Sequence, residues 1–335
     1  MGGRASSDIW VTCALKALFL ILLSVKSFMA VYDLVAIGNP VYDVIETPFV
    51  KSIGRILSGC SFNAAFTAKR LGMREVALIG RVGEDFQEQL FNTLKRIGLR
   101  FIKVGDAKET TGFKLKYLGH GDRELEVLGF SGEISMKDVP QEVFDARAVV
   151  VGPVLGEVRV EIHKAFRERG SVVFLDPQGY LRRVRRGVVE YYSNPEALEA
   201  CCESYLVKPN ELEAKLLSGL DEPVKAATSI CRRTGAVTAL TLAERGSVIV
   251  DGERAIIVPA YPVHPVDPTG AGDVYLGALV YYLCNGLGLE DAASYASAIA
   301  SMKVEGIAAH FRLNLREATR RARWIRSKVR VKKLK

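Results

Sequence analysis

Asp267-Pro268-Thr269-Gly270-Ala271-Gly272-Asp273 runs straight into the apolar stretch Val274-Tyr275-Leu276-Gly277-Ala278-Leu279-Val280-Tyr281-Tyr282-Leu283. Three small residues in a row leave the backbone bare, and Gly270 and Gly272 reach φ values closed to other residues. The apolar stretch reads as a buried helix. At such a helix start the first N–H groups lack partners and the macrodipole is positive, so anions are attracted. Asp273 is out of place there as a plain anion ligand, because its charge repels a phosphate. It suits the removal of a proton from a hydroxyl that attacks that phosphate. The alternative is local: Asp and Gly are ordinary cap and turn residues before a helix.

Working outward, short apolar runs alternate with helical patterns. Leu34 to Ile37 reads as a strand ending at Gly38-Asn39-Pro40, Phe62 to Leu71 as a helix stopped by Gly72, and Val76 to Gly80 as a strand. Phe86 to Ile97 is amphipathic and closes on Gly98. The alternation continues through 149–151, 158–169, 172–175, 205–207, 212–217, 237–242 and 247–250. Such a pattern predicts a parallel sheet covered by helices, with ligands beyond the carboxyl ends of its strands. Residues 43–57 and 101–130 break it. Phe113 to Leu118 alternates with period two, and Gly119-His120-Gly121-Asp122 reads as a turn.

The 267–273 heptad resembles the C-terminal motif of the ribokinase-like sugar kinases, the PfkB family, usually Asp-Thr-x-Gly-Ala-Gly-Asp. Further segments match in family order. Gly38-Asn39-Pro40-Val41-Tyr42-Asp43 resembles the first substrate motif, in which the Asp accepts hydrogen bonds from sugar hydroxyls; alone, Asp43 is a turn residue. Ser58-Gly59-Cys60-Ser61-Phe62-Asn63 resembles Gly-Gly-x-x-x-Asn, with Ser58 in place of the first Gly. The resemblance makes Gly59 and Asn63 substrate-binding, while locally Asn63 reads as a helix cap. Gly80-Arg81-Val82-Gly83-Glu84-Asp85 reads as a turn and helix cap without catalytic work. Asp176, in Leu175-Asp176-Pro177, sits at a strand end where substrate or nucleotide meets it, or is simply a turn residue.

Lys208-Pro209-Asn210-Glu211-Leu212-Glu213 carries the Asn-x-x-Glu of the family, which implies that Asn210 and Glu213 order magnesium and phosphate. The same spacing is a capping box, and both readings are compatible. Leu240-Thr241-Leu242-Ala243-Glu244-Arg245-Gly246 resembles the nucleotide loop, with Thr241 and Gly246 matching and Ala243 replacing a Gly. Gly306 resembles a glycine near the adenine pocket. Asp267 matches a residue that in some relatives helps bind a monovalent cation.

Taken over residues 30 to about 325, the resemblance implies a three-layer α/β/α sandwich with a mostly parallel central sheet and a small β-sheet lid from about 43–57 and 101–130. It implies transfer of the γ-phosphoryl group of ATP, with Mg²⁺, to an alcohol of a small polyol. A sugar or inositol is favoured; a nucleoside is the alternative. Asp273 is the implied base, and the amides of Gly270, Ala271 and Gly272 are the implied anion hole. Glu213 and Asp267 are the implied metal residues. A homodimer is compatible. A non-catalytic binding protein on the same fold is disfavoured by Asp273, since binding alone gains nothing from that charge.

Composition agrees with a globular chain: 49% hydrophobic and 25% charged. The net charge of +8 is local. Residues 312–335 hold eleven Lys or Arg and one Glu, +10 in all, which leaves −2 for the rest. That excludes a basic groove along the domain, and no nucleic-acid partner is expected. The basic end, 326–335, reads as a solvated tail that frays. Six cysteines without Cys-x-x-Cys spacing argue against zinc and for reduced thiols in a cytoplasmic enzyme. Ile9 to Val25 is apolar, but its longest clean run, Ala17 to Leu23, is too short to span a bilayer. Residues 1–28 are therefore expected to lie outside the kinase domain, 29–325, with Met29 as the natural start; the alternative is a signal peptide or weak membrane anchor.

Overall fold

Leu34–Ile37 (β1) is apolar and buried at every position, as a strand covered on both faces must be. The computed structural model describes residues 30–46, 54–119, 122–306 and 311–334. The expectations for residues 1–28 and for the turn at 119–122 fall wholly or partly outside these. After β1 come Val41–Glu46 (β2), Ile56–Ser58 (β3), Cys60–Leu71 (α1), Val76–Gly80 (β4), Glu84–Ile97 (α2) and Arg100–Lys103 (β5). Gly112–Gly119 (β6), Asp122–Gly129 (β7), Ala148–Val151 (β8), Val160–Glu168 (α3) and Val172–Leu175 (β9) follow. Next are Arg182–Arg185 (β10), Val188–Tyr191 (β11), Pro195–Cys202 (α4), Leu206–Val207 (β12), Glu211–Ser218 (α5) and Pro223–Thr234 (α6). The chain continues through Val237–Thr241 (β13), Ser247–Val250 (β14), Arg254–Val258 (β15), Ala271–Cys284 (α7), Leu289–Val304 (α8), Leu315–Arg326 (α9) and Arg330–Lys333 (β16).

Among the described residues ten strands form the central sheet, in the order β16-β15-β14-β13-β12-β9-β8-β1-β4-β5. From β5 to β13 every pairing is parallel; β14, β15 and β16 add antiparallel turns at one side. The two-residue period of β1 builds two cores. Leu34 and Ala36 face one apolar cluster, with α1, α2, α7, α8 and α9. Val35 and Ile37 face the other, with α3 to α6. This is the expected three-layer sandwich. The chain runs from β1 outward through β4 and β5, then returns to β8 on the other side. The point of reversal lies between β1 and β8, where a crevice opens beyond the strand ends.

A second sheet of six strands, β10-β11-β7-β6-β2-β3, supplies the expected lid, but with different parts. Residues 100–103 belong to the central sheet: they follow α2 as the return strand of a β–α–β unit and pair in parallel with β4. The lid also gains the hairpin β10–β11, which pattern reading missed. Its turn, Arg186-Gly187, has φ of 52° and 79°, the two left-handed residues that a tight hairpin favours. The basic end is corrected as well. Arg330–Lys333 pairs with Arg254–Ile257 and forms the outermost strand at one edge of the central sheet. Among the described residues no helix is long and apolar enough to cross a membrane.

Candidate active site

Gly270 has φ 75° and caps α7, so the loop turns sharply into the helix where only a residue without Cβ is unstrained. The helix then sinks into the core: nine of its residues are buried. Gly277 lets it touch α1, for a Cβ there would stand 2.4 Å from the Ala64 carbonyl oxygen. That close packing fixes the start of α7 relative to α1. Asp273 therefore meets Asn63, whose Nδ2 donates to its Oδ2 at 2.9 Å. Asn63 is inside α1, four residues past the cap Gly59, so the local reading of it as a helix cap is corrected. Its amide is spent on Asp273.

The strand ends bring the charges. β9 and β12 are neighbours, so Asp176, just after β9, and Lys208, just after β12, lie side by side. Lys208 Nζ reaches Asp176 Oδ2 at 2.8 Å, and both side chains are almost fully buried. The same ammonium crowds the loop from behind: a Cβ on Gly272 would lie 3.0 Å from it. Burial acts to lower the Lys208 pKa, but Asp176, Glu213 and Asp273 outweigh it and hold the group above its ordinary value. For Asp273 burial comes first, with Asp176 next; both raise its pKa, while Lys208, Asn63 and Arg182 oppose them. The result is a carboxylate more basic than an ordinary Asp. Glu213 is pushed up to about 7 by burial and by Asp176, against Lys208 and the Asn210 amide. Burial, Asp176 and Asp273 raise the Cys60 thiol well above its usual range, so it stays neutral.

These groups line one cavity of about 1010 Å³ under the lid. At one end stand Asp43, Gly59, Cys60 and the apolar lid residues Phe113, Leu115 and Leu125. At the other stand Thr241, Gly246 and an apolar slot of Tyr261, Pro262, Val263, Pro265, Ala300 and Val304. Gly270, Ala271, Gly272 and Asp273 lie between, with Asn210 and Glu213. Ten of the twelve catalytic, substrate-binding and cofactor-binding candidates line this cavity. Asn63 sits behind Asp273, beside a small adjoining cavity that Asp43 also lines. Gly306 falls outside the lining; its N–H donates to the Lys303 carbonyl at the end of α8. Ala271 is a partial correction, since its N–H donates to the Pro268 carbonyl at 3.1 Å and is spent on the turn.

Asn210 and Glu213 form the capping box in full: the Asn210 side chain accepts from Glu213 N–H, and Asn210 N–H donates to Glu213 Oε2 at 2.9 Å. Each Glu213 oxygen still has a lone pair to offer to a metal-bound water, so the pair fits a hydrated Mg²⁺ held through water. Cys60, Asp176 and Asp273 bring their ligand atoms within 4.8 Å of one another. A thiol mixed with two carboxylates, one already paired to Lys208, does not suit that hard ion. Asp267 fits its expected role less well. Lys303 Nζ donates to its carbonyl at 2.9 Å and to Oδ2 at 3.2 Å, while Oδ1 accepts from Thr269 N–H at 2.9 Å. An ammonium stands where a monovalent ion was expected.

Sequence reading passed over Lys208, Arg182 and Lys303. Lys208 carried a signal, a lone basic residue between a strand end and Pro209. Lys303 carried one too, a single charge among the small residues of Ser294 to Val304. Arg182 carried none, because its hairpin was not recognised; it lines the cavity with its Nη2 donating to Tyr191 Oη.

Residues 31–313 match the family model described as pfkB family carbohydrate kinase. The chain is 26% identical to a ribokinase of Lactococcus lactis over 279 residues, 82% of this chain and 87% of that one. It is 29% identical to an inositol 3-kinase of Arabidopsis thaliana, covering 81% of this chain and 73% of that one. Among solved structures, a pyrophosphate-dependent kinase of the ribokinase family, in complex with sulfate, aligns with a TM-score of 0.75 at 18% identity, over 85% of this chain and 99% of its own.

Proposed function

The chain belongs to the pfkB family of carbohydrate kinases, and from that membership we propose that it moves the γ-phosphoryl group of ATP to an alcohol of a small polyol, a sugar or an inositol. The observation that carries this is the placing of Asp273, held by Asn63 at the positive end of α7 beside Gly270 and Gly272. The acceptor hydroxyl gives its proton to Asp273. Its oxygen forms the new bond to phosphorus as the bond to the ADP oxygen breaks, leaving a phosphate monoester and ADP. The Gly270 and Gly272 backbone and the helix dipole stabilise the negative charge of the transferring group. Lys208, a fixed cation in the same wall, adds to that stabilisation and opposes the rise in the Asp273 pKa.

Asp43, buried on β2, supports a hydroxyl-rich acceptor, since a carboxylate accepts from two neighbouring hydroxyls. The apolar slot around Tyr261 and Val304 supports a donor with an adenine base; pyrophosphate would leave it unused. Asn210 and Glu213 would hold Mg²⁺ through water, and the ion would supply neutralisation of the phosphate charge. A screen of ATP and pyrophosphate against sugars, inositols and nucleosides, with Asp273→Asn as control, tests the reading. Phosphorylation of no acceptor, or undiminished turnover in the variant, would overturn it.

A further inference from the structure

Lys303 lies on the last turn of α8 and only 2% of its surface is exposed. Its Nζ bonds the carbonyl and the carboxylate of Asp267 together. Asp267 is itself the first residue of the loop: its other carboxylate oxygen accepts from Thr269 N–H, and its backbone N–H, with that of Val266, donates to the Val304 carbonyl. One ammonium thus joins the end of α8 to the entry of the Gly270–Gly272 turn. It also cancels a buried negative charge six residues from Asp273, in a place where an unpaired carboxylate would repel the phosphate the turn is shaped to hold. An alkali-metal ion at Asp267 would serve the same ends, with the same charge and the same oxygen donors.

We propose that Lys303 is this kinase's built-in monovalent cation, a positioning residue for the anion-binding turn, so that nucleotide binding and turnover need no added potassium or sodium. The proposal rests on the reading of the turn as a phosphate site.

Calorimetric titration of ATP into the full-length protein tests it without knowledge of the acceptor. The titrations use potassium, sodium and tetramethylammonium chloride at one ionic strength. Wild-type affinity is expected to differ by less than twofold between the salts; a gain of tenfold or more in potassium would overturn the proposal. Lys303→Met is expected to lose about tenfold in affinity in tetramethylammonium and to regain it in potassium, a rescue that a merely structural lysine would not show. Wild-type affinity in the variant in every salt would also overturn it. Should that variant fail to fold, the wild-type salt series decides alone. Absence of ATP binding in every salt would instead remove the kinase reading, and this inference with it.

Discussion

Asn63 and Asp273 are 210 positions apart in the chain and meet at 2.9 Å, amide donating to carboxylate. The bond exists because Gly277 lets α7 lie against Ala64 of α1. It aims the carboxylate into the cavity and favours its charged form. Replacing Asp273 by Asn removes the base and keeps the shape. ATP affinity should hold or rise, since a negative charge leaves the phosphate site, while kcat falls by about 10²–10⁴, the usual worth of a positioned acid or base. Steady-state kinetics beside calorimetry separates the two.

The acid limb of kcat/KM should sit above that of an ordinary Asp. Asp273 must be ionised to take a proton, so turnover is lost as pH falls through its pKa, which burial and Asp176 raise. Asn63→Ala removes a group that opposes the rise. A hydrogen bond to a charged group is worth about 1.5–3 kcal/mol, and about 1.4 kcal/mol is one pH unit. The limb should therefore move to higher pH in that variant. A limb that does not move would mean that the bond has no hold on the base.

Lys208→Met should damage both stability and catalysis, and a second change separates them. Asp176 would be left buried without its partner, at a cost of about 3–5 kcal/mol. Adding Asp176→Asn removes that stranded charge, so urea midpoints should largely recover in the double variant. Turnover should stay low in both, because the cation beside Gly272 is gone from each. Recovery of kcat along with stability would reduce Lys208 to a structural role.

Gly277→Ala should destabilise the protein although alanine is the better helix former. The gain in propensity is about 1 kcal/mol. Against it stands a methyl group 2.4 Å from the Ala64 carbonyl oxygen, an overpacking that costs typically about 1–3 kcal/mol and more where backbone must move. Thermal melts read the sign. Since α7 and α1 would be pushed apart at the Asn63–Asp273 bond, kcat should drop below wild type even at temperatures where the variant is folded.

The catalytic half of the site was legible because its residues are locally unusual. Gly270 to Asp273 puts bare backbone and an acid before an apolar helix, and Asn210 with Glu213 has capping-box spacing. What could not be read is what depends on strand order. Lys208 touches Asp176 only because β12 pairs with β9, and no local pattern specifies that neighbour. Lys303 likewise finds Asp267 through the packing of α8 behind the loop. The lid was half read: β6 alternates as an exposed hairpin should, but β10 is Arg-Arg-Val-Arg, with no apolar stripe to mark it.

Arg330, Lys332 and Lys333 stand on the outermost strand of a ten-stranded sheet, exposed along its free side. An open border of that kind invites a neighbouring copy to add its own strand, and inserted lysines are a common deterrent. Two molecules approaching border to border would set like charges against each other at the spacing of paired strands. The positive strand thus works as a fence along this edge of the sheet, and neutralising it should favour self-association.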